Sequence, residues 1–580
     1  MRSDWFNIKT QLSKIFKNIA SNIDDFDSSF DPEVRVADPR FGDFQVNGVL
    51  GFAKRNKKNP RELAQKLLEA AKKFQELFQF DIEISGPGFL NIRISREFLQ
   101  DWLHHFYNDF NTVNQLENKT IVVDYSSPNT AKEMHVGHLR SMIIGESIQR
   151  ILSYCGANVI RDNHIGDWGT QFGILILSVK KNNINIDELT EESALKTFEQ
   201  MYKSGVELTK NDEQMLNAAR QELVKLQNGD PENLKIWKSI NDASYKAFET
   251  IYSQMGIEFD YVLGESFYRD KVDRVYTELI NAHIAEEDNG ALVVFFKDNE
   301  RFAEQPFLIR KSDGASNYAT TDLATVLYRT EEMHADEMIY VTDGRQQDHF
   351  QQLFLTVNKW FSAQNRTVPA MKHVWFGTVL GEDGKAIKTR SGESIKLKDL
   401  IDEGIARAYK IVSEKNPTLS DDEKQEIAKV VGISAIKYSD LSQNRTNDYV
   451  FSWDKMLSFE GNTAPYLLYA VARIHALLRK VEAGRMTHID EFSTAEELSL
   501  ARKLIEFPCV LEQVIEDLRP HYLCTYLFEL ASSFSGFYNA NRIIGETEAV
   551  LNKRLLLCRM TLQILEHGLD LLGIETLEKM

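Results

Sequence analysis

Two histidines, His135 and His138, lie three residues apart at the predicted start of a helix. They follow an apolar run at residues 120–124 and a Pro-Asn turn, which together predict a strand leading into a helix near Val136. A helix N-terminus attracts phosphate because its first N–H groups are unpaired and carry partial positive charge. Gly137 leaves room for a nucleotide, and the imidazoles can donate to oxygens that gain charge when an α-phosphate is attacked. The segment predicts nucleotidyl transfer from ATP; a surface histidine pair and a partial metal site are the alternatives.

A second candidate is the segment Gly166-Asp167-Trp168-Gly169, which follows a predicted strand at residues 158–161. Ligands of doubly wound sheets bind at the carboxyl ends of the strands, where glycine-rich loops allow close approach. We therefore expect Gly166 and Asp167 at the nucleotide site. The alternative is a tight turn that the aspartate caps.

Tyr318 and Asp322 form a third candidate, within a predicted helix at residues 317–329. Their spacing of four residues places both side chains on one face of the helix. A phenol beside a carboxylate suits a planar cation such as guanidinium, which a carboxylate can hold with two hydrogen bonds. The pair could instead cap and brace its own helix.

A glycine-rich basic loop occupies residues 377–392. It contains four glycines and the three cations Lys385, Lys388 and Arg390. Cations on a flexible loop can close over a polyphosphate and stabilise the charge that moves to leaving pyrophosphate. A solvated hairpin is the alternative.

Length and composition bound the class of protein. The 580 residues exceed the size at which a single hydrophobic core keeps growing, so we expect three or four domains. A hydrophobic content of 43% and a charged content of 27% are typical of a soluble globular protein. The net charge of −18 argues against a protein that coats nucleic acid nonspecifically, although it permits a specific RNA partner. No apolar run approaches the roughly 18 residues that a membrane span needs, so no membrane partner is expected.

The cysteines indicate a reducing compartment. They are scattered without CxxC spacing, which predicts buried thiols and no zinc site or disulfide framework. The first 16 residues predict an amphipathic helix and no signal peptide, so we expect a cytoplasmic protein. The four cysteines are Cys155, Cys509, Cys524 and Cys558.

The N-terminal region, residues 1–112, predicts a small α/β domain. A helix at residues 60–78 precedes two strands, at residues 80–84 and 89–94, that a Gly-Pro-Gly turn connects as a hairpin. The polar stretch at residues 108–119 is the expected linker.

The remaining pattern predicts a Rossmann-like parallel-sheet catalytic core with an insertion, at residues 118–398, and an all-α C-terminal helix bundle. A strand, a helix to Cys155 and a second strand form the first βαβ unit. Charged helical segments at about 180–290 form the insertion, after which we expect strands at residues 291–296, 338–341 and 373–376 to complete the sheet. Residues 399–459 predict a helical connector and residues 460–580 the all-α domain. The fold class is therefore a multidomain α/β protein.

Six segments, in order, resemble those of the arginyl-tRNA synthetase family of class I aminoacyl-tRNA synthetases. The resemblance extends from about residue 40 to residue 580. The segments are SSPNTAKEMHVGHLRS, HIGDWGTQFG, NYATTDLA, YVTDGRQQDHF, KTRSGE and SFEGNTAPYLLYAVARI.

The resemblance implies roles for residues at matching positions. The signature histidines His135 and His138 would stabilise the ATP phosphates and the transition state. Two carboxylates in a partly desolvated pocket would compensate a guanidinium and reject neutral isosteres. The implied ATP-binding residues are Pro128, His135, Gly137, His138, Gly166 and Asp167. The implied arginine-binding residues are Asn91 from the N-terminal domain, Asp124, Ser126, Asn129, Tyr318, Asp322 and Gln346.

The second signature of the class departs from the usual Lys-Met-Ser-Lys-Ser. Aligned on Thr-Arg-Ser-Gly, residues 386–390 read Ala-Ile-Lys-Thr-Arg, which places Thr389 where the catalytic second lysine belongs. Some members of the family carry a lysine just upstream of the histidine motif instead, and Lys132 occupies that place. We hypothesise that Lys132 supplies the missing charge, aided by Lys388 or Arg390.

The family resemblance also implies the reaction and its partners. ATP with Mg²⁺ and L-arginine would give arginyl-adenylate and pyrophosphate, and the arginyl group would pass to the terminal ribose of tRNA(Arg). Arginine activation would need bound tRNA, with the N-terminal domain at the tRNA elbow and the C-terminal helices at the anticodon. We expect no structural metal and a monomer.

Two other functions remain compatible with parts of this pattern. A synthetase of the same class for cysteine should show zinc ligands, and one for glutamate should not pair Asp124 with Asp322. A non-catalytic tRNA-binding paralogue is the second rival, and the intact His135, His138, Lys132 and Asp322 argue against it.

Overall fold

A computed structural model of the chain describes residues 3–107, 115–210, 212–312, 317–387, 394–481 and 491–580. The chain forms two compact units, of which one joins its two ends. The first unit comprises Met1–Gln115 with Leu457–Met580, and the second comprises Leu116–Met456.

The N-terminal segment contains a four-stranded antiparallel sheet of strand order β1-β2-β4-β3. The predicted hairpin is confirmed, since β3 and β4 pair across a turn in which Gly86 and Gly88 have φ of 56° and 147°. The helix predicted at residues 60–78 is shorter than expected. It ends at Ala71 because Phe74 is extended, and a separate 3-10 turn follows at Gln75–Leu77. The elements are α1 (Ile8–Ala20), β1 (Val34–Val36), β2 (Phe44–Val46), α2 (Gly48–Asn56), α3 (Pro60–Ala71), β3 (Phe80–Ser85), β4 (Phe89–Ile94) and α4 (Arg96–Phe106).

The second unit is built on strands and helices that alternate along the chain. They are β5 (Thr120–Asp124), α5 (Val136–Tyr154), β6 (Asn158–Asp162), α6 (Thr170–Lys181), α7 (Glu191–Lys210), α8 (Glu213–Gln227), α9 (Pro231–Met255), α10 (Glu265–Tyr268), α11 (Val272–Asn281), β7 (Ala285–Asp288), β8 (Ala291–Val294), β9 (Phe307–Arg310), α12 (Tyr318–Glu331), β10 (Glu337–Tyr340), α13 (Gln347–Ala363), β11 (Ala370–His373), β12 (Val379–Leu380), α14 (Leu397–Lys415), α15 (Asp421–Leu441), β13 (Tyr449–Val450) and α16 (Trp453–Met456).

Four parallel strands form the central sheet, in the order β11-β10-β5-β6. This confirms the predicted parallel-sheet core. The register pairs Asp124 at the end of β5 with Asp162 at the end of β6 and with Tyr340 at the end of β10. Because the strands are parallel, these three residues and the loops that follow them meet at one edge of the sheet.

Two of the strand predictions for this sheet were wrong. Residues 291–296 were expected in the parallel sheet, but β8 is the middle strand of a separate antiparallel sheet of order β7-β8-β9. Asn289 and Gly290 have φ of 48° and 81°, and this two-residue turn folds β8 back on β7. The last strand lies at Ala370–His373, three residues before the predicted 373–376, because it pairs with the short β10.

The C-terminal segment is helical, as predicted. Its helices are α17 (Ala464–Leu478), α18 (Ala495–Leu504), α19 (Phe507–Asp517), α20 (His521–Ala540) and α21 (Glu548–Leu571). Within this unit α1 contacts α19, where Asn7 Nδ2 and Thr10 Oγ1 donate to the Glu512 carboxylate at 3.1 and 3.0 Å. Among the helices of the described residues, none is both long and apolar enough to cross a membrane.

Candidate active site

The two histidines cap the helix that they begin. The predicted helix start is confirmed, since α5 begins at Val136 with His135 as its N-cap. His135 Nδ1 accepts from the Gly137 N–H at 3.0 Å, and His138 Nδ1 accepts from the His135 N–H at 3.1 Å. A neutral ring whose Nδ1 accepts carries its proton on Nε2, so both rings keep one N–H to donate. Their centroids are 4.0 Å apart.

Burial and neighbouring positive charge keep these rings neutral. Burial and the nearby His135 lower the pKa of His138 to about 3. Burial and the Lys132 ammonium also lower the pKa of His135. Near neutral pH each imidazole is therefore a neutral hydrogen-bond donor, and the fixed positive charge nearby comes from Lys132.

Gly137 and Gly166 lie so close to neighbouring side chains that a Cβ atom would not fit at either position. A Cβ on Gly137 would lie 2.8 Å from Cε1 of His135, so a side chain there would displace the capping ring. A Cβ on Gly166 would lie 2.0 Å from Oδ1 of Asn129. The Gly166 backbone pairs with the first loop, donating to Pro128 O at 3.1 Å and accepting from Thr130 N at 3.1 Å. The structure thus brings the predicted residues Pro128, Asn129 and Gly166 together.

Asp167, predicted to bind ATP, is hydrogen-bonded to neighbouring helices of the protein. Its side chain is only 2% exposed. Its carboxylate accepts from Ser266 N at 2.8 Å, Ser266 Oγ at 2.5 Å and Tyr245 OH at 3.2 Å. Because its oxygens accept from residues of α9 and α10, Asp167 braces the loop against both helices, and its contact with ATP stays a prediction.

Asp124, predicted to contact the substrate guanidinium, is already paired with an arginine of the protein. Arg329 is fully buried and donates to Asp124 Oδ2 at 2.6 Å and to Asp162 Oδ2 at 2.8 Å. Ser127 Oγ donates to the other Asp124 oxygen at 2.9 Å. Burial, opposed by Arg329 and reinforced by Asp124, raises the pKa of Asp162. We call Asp124, Asp162 and Arg329 the compensated cluster.

Tyr318 and Asp322 lie on one face of α12, as predicted. The Tyr318 side chain is 70% exposed at the start of the helix. Asp322 Oδ2 accepts from His349 Nε2 at 2.6 Å. Although burial acts in the opposite direction, the hydrogen bond to Asp322 raises the pKa of His349. Among the described residues, Asp322 forms no salt bridge with a lysine or an arginine.

A further carboxyl group, Glu265 at the start of α10, lies close to Asp322. Burial and the charges of Asp322 and Asp167 raise its pKa to about 8. Burial and the charges of Glu265 and Asp322 also raise the pKa of Tyr318. Within the described parts of the chain, Glu265 has no lysine or arginine partner. We call Tyr318, Asp322 and Glu265 the open cluster, because its carboxyl groups have no lysine or arginine partner in the described parts of the chain and Tyr318 is exposed.

Described residues on either side of the basic loop contact α5 or the residues just before it. Arg140 of α5 donates from Nη1 to Gly377 O at 2.8 Å, where the loop begins. After the loop, Lys396 pairs with His135 in a β-bridge, and its ammonium contacts the Glu133 carboxylate. The predicted cations Lys388 and Arg390 lie outside the described residues. The described contacts join only Gly377 and Lys396, on either side of those residues, to α5 and its N-cap His135.

The remaining predicted residues occupy three environments. Lys132 is half-buried with Nζ 4.5 Å from the Tyr202 ring centroid, near both histidines. Asn129 and Gln346 are exposed at the carboxyl edge of the sheet, whereas Ser126 is buried. Asn91 lies in the other unit, where its Oδ1 accepts from Gln45 Nε2 at 2.7 Å.

Arg329 and Glu265 were not predicted from the sequence. The signal for Arg329 was available, because the strands IVVD and VIRD both end in a buried aspartate that requires a cation. No comparable pattern marks Glu265, which approaches Asp322 only through the tertiary fold. Across the described residues there is no group of three histidine, cysteine, aspartate or glutamate side chains that could hold a metal ion.

Family models match three consecutive parts of the chain. The description "tRNA synthetases class I (R), catalytic domain" matches residues 103–453. The "Arginyl tRNA synthetase N terminal domain" matches residues 7–94, and the "DALR anticodon binding domain" matches residues 467–580.

Curated relatives and solved structures agree with these matches. The chain is 43% identical over 547 residues to an arginine–tRNA ligase of Chromobacterium violaceum, covering 93% of this chain and 94% of the relative. It is 42% identical over 568 residues to an arginine–tRNA ligase of Laribacter hongkongensis, covering 97% of each. The structure is similar to Plasmodium falciparum arginyl-tRNA synthetase, with a TM-score of 0.85, 28% identity and 99% coverage of both chains. Thermus thermophilus arginyl-tRNA synthetase gives a TM-score of 0.83 at 25% identity, covering 99% of this chain and all of that one.

Proposed function

Because the chain belongs to the arginyl-tRNA synthetase family and is an arginine–tRNA ligase, we propose that its paired histidines and its open cluster divide the ligase reaction between them. The class I synthetase family uses ATP, and the DALR domain binds the tRNA anticodon. The histidines act on the triphosphate, and the open cluster holds the arginine side chain. One observation carries this division: Asp322 and Glu265 have no lysine or arginine partner among the described residues, whereas Asp124 and Asp162 have Arg329.

The phosphate end of the site is the N-terminus of α5. His135 and His138 donate from Nε2 to oxygens of the triphosphate, and Gly137 gives the nucleotide room beside the helix. The arginine carboxylate attacks the α-phosphorus, the bond to the bridging oxygen breaks, and pyrophosphate leaves. Charge that builds up on the phosphate oxygens is stabilised by the helix N-terminus and by Lys132. Lys388 and Arg390 add charge from the basic loop, while Pro128 and Gly166 shape the nucleotide site through their paired backbones.

The arginine end of the site is the open cluster. Asp322 and Glu265 bind the guanidinium, and Tyr318 covers it with its exposed ring. Ser126, Asn129 and Gln346 hold the backbone groups of the amino acid. Asp124 and Asp167 contribute indirectly, because their carboxylates are bonded within the protein. In the second step the terminal ribose hydroxyl of tRNA(Arg) attacks the arginyl carbonyl carbon, and AMP leaves.

The proposal also covers the metal ion, the oligomeric state, the cellular location and the domain bounds. Mg²⁺ enters with the triphosphate, since it is usually held by phosphate oxygens and few protein ligands. The protein acts as a monomer in the cytoplasm, in keeping with its buried free thiols Cys155, Cys509, Cys524 and Cys558. The N-terminal domain, proposed as residues 1–112, contacts the tRNA elbow. The other proposed domains are the catalytic core at residues 118–398, the helical connector at residues 399–459 and the all-α domain at residues 460–580.

Arginine-dependent pyrophosphate exchange, measured with and without tRNA(Arg), tests the proposed site. Exchange is expected with arginine and tRNA present, and not with citrulline, which leaves the carboxylates of the open cluster uncompensated. Equal exchange with citrulline would show that the open cluster does not read the guanidinium. Exchange with a different amino acid, or none with tRNA present, would overturn the assignment.

Lys132 has its own test. Lys132→Ala should slow adenylate formation, because it removes the fixed charge beside His135 and His138. Lys238→Ala, on the exposed side of α9, is the matched control and should leave the rate unchanged. Wild-type adenylate formation by the Lys132→Ala variant would disprove the proposed compensation for the altered second signature.

A further inference from the structure

The loop between β5 and α5 contains strained backbone. Ser126, Ser127 and Ala131 have φ of 74°, 46° and 66°, in the left-handed region that residues with a Cβ rarely adopt. Such conformations cost free energy and persist only where surrounding contacts fix them. The loop carries the proposed substrate residues Ser126 and Asn129, so whatever fixes it also sets the geometry of the site.

Several of the hydrogen bonds that hold this loop in its conformation come from α9, a helix of the insertion. Ser244 Oγ accepts from the Ala131 N–H at 2.9 Å. Tyr252 OH lies 2.8 Å from Ser126 Oγ and accepts from Asn163 Nδ2 at 2.9 Å. Asn163 Oδ1 in turn accepts from the Ser127 N–H at 3.0 Å. All three strained residues are therefore tied to α9, directly or through one asparagine.

Helix α9 also contacts the loop after β6, which contains Gly166 and Asp167. Trp237 Nε1 donates to Asp167 O at 2.8 Å, and Tyr245 OH donates to Asp167 Oδ2 at 3.2 Å. Positions 237, 244, 245 and 252 are separated by seven or eight residues, or are adjacent, so they form one stripe along α9. One helix face thus contacts both loops that carry the proposed substrate residues.

The hydrogen bonds around Tyr252 determine the direction in which its phenol proton points. Asn163 Oδ1 accepts from Ser127, so its amide nitrogen faces Tyr252 and donates to the phenol oxygen. The phenol proton is then directed to Ser126 Oγ. Burial raises the pKa of Tyr252 to about 12, which keeps that proton in place. Ser126 Oγ already accepts from Tyr252, and its own proton is left to point to another acceptor.

We propose that α9 is the positioning element for both substrate loops and that Tyr252 is a positioning residue, which orients the Ser126 hydroxyl as a donor to the arginine carboxylate. This inference rests on the proposed role of Ser126 in binding arginine. Tyr252 acts through Ser126 and does not touch substrate itself. Ser244 acts separately, through the backbone of Ala131 and therefore on the segment that leads to Lys132 and His135.

Steady-state kinetics of Tyr252→Phe, Ser126→Ala and the double variant test the proposal. Each single variant should raise the KM for arginine about tenfold, with the KM for ATP unchanged, because each loses the oriented donor. The double variant should be no worse than Ser126→Ala alone, since Tyr252 acts only through that hydroxyl. Ser244→Ala should instead lower kcat and leave the KM for arginine near the parent value.

Tyr526→Phe is the matched control, because its buried hydroxyl donates to Lys503 O at 3.0 Å in the other unit. Thermal unfolding checks that each variant is folded at the assay temperature. Losses that add in the double variant would overturn the proposal, as would parent kinetics in folded Tyr252→Phe. If Tyr252→Phe failed to fold, a parent KM for arginine in folded Ser126→Ala would overturn it. A parent enzyme without arginine-dependent exchange would refute the proposed site, a different outcome from parent exchange that Tyr252→Phe leaves unchanged.

Discussion

The compensated cluster and the open cluster both contain carboxyl groups, but only the compensated cluster contains an arginine that balances their charge. Asp124 and Asp162 are buried around Arg329, a permanent cation on α12. Asp322, seven residues earlier on the same helix, has the titratable His349 as its described ionic partner, and Glu265 beside it is protonated near neutral pH. A carboxylate that carries its own arginine supports the fold, whereas one without a permanent cation is available to a cationic substrate.

The largest effect that tests this difference concerns stability. Arg329→Met should cost about 3–5 kcal/mol of unfolding free energy, because it leaves two buried carboxylates without a cation. Arg274→Met is the control, since Arg274 is half-exposed and pairs with Glu331, and it should cost no more than about 1 kcal/mol. Denaturant unfolding measures both. A loss below about 1 kcal/mol for Arg329→Met would remove the distinction between the clusters.

The second effect concerns catalysis. Asp322→Asn should lower kcat/KM for arginine by about 2–4 kcal/mol, roughly 30- to 1000-fold, because a charged partner of the guanidinium is lost. Its unfolding free energy should stay within about 1 kcal/mol of the parent, since the introduced amide oxygen can still accept from His349. Asp348→Asn, in the exposed pair with Arg301, is the kinetic control. A variant with parent kinetics and a destabilised fold would place Asp322 with the compensated cluster.

The third effect is a pH dependence. A bound guanidinium favours the ionised Glu265 and opposes protonated His349, so both should release protons when arginine binds. Affinity should therefore increase as pH rises from 6 through about 8, by up to roughly tenfold per pH unit for each proton released. Calorimetry in two buffers of different ionisation enthalpy counts the protons, and Glu265→Gln should release fewer. Proton uptake, or no change in Glu265→Gln, would contradict the assignment.

The smallest effect concerns the hydroxyl that supports Asp124. Ser127→Ala removes the 2.9 Å bond to Asp124 and should cost about 1 kcal/mol of unfolding free energy, since Arg329 remains. The KM for arginine should change less than threefold, on the order of 0.6 kcal/mol. A KM increase beyond tenfold at unchanged stability would instead join Asp124 to the substrate pocket.

Local patterns predicted much of this architecture. The strand before Ser126, the start of α5 and the shared face of Tyr318 and Asp322 were all expected from residue spacing, and the structure confirms them. The errors lie where pairing is not local. The apolar run at residues 291–296 could belong to either kind of sheet, and the Asn-Gly turn before it decides for the antiparallel one.

The sequence by itself determined the local elements around the site, such as the start of α5 at Val136 and the shared face of Tyr318 and Asp322, because helix periodicity and capping act over a few residues. The tertiary structure alone decided which of these carboxylates is paired with an arginine. Arg329 reaches Asp124 across 205 residues of sequence and Asp162 across 167. Charge compensation inside a protein depends on which side chains pack together, and no local spacing records that.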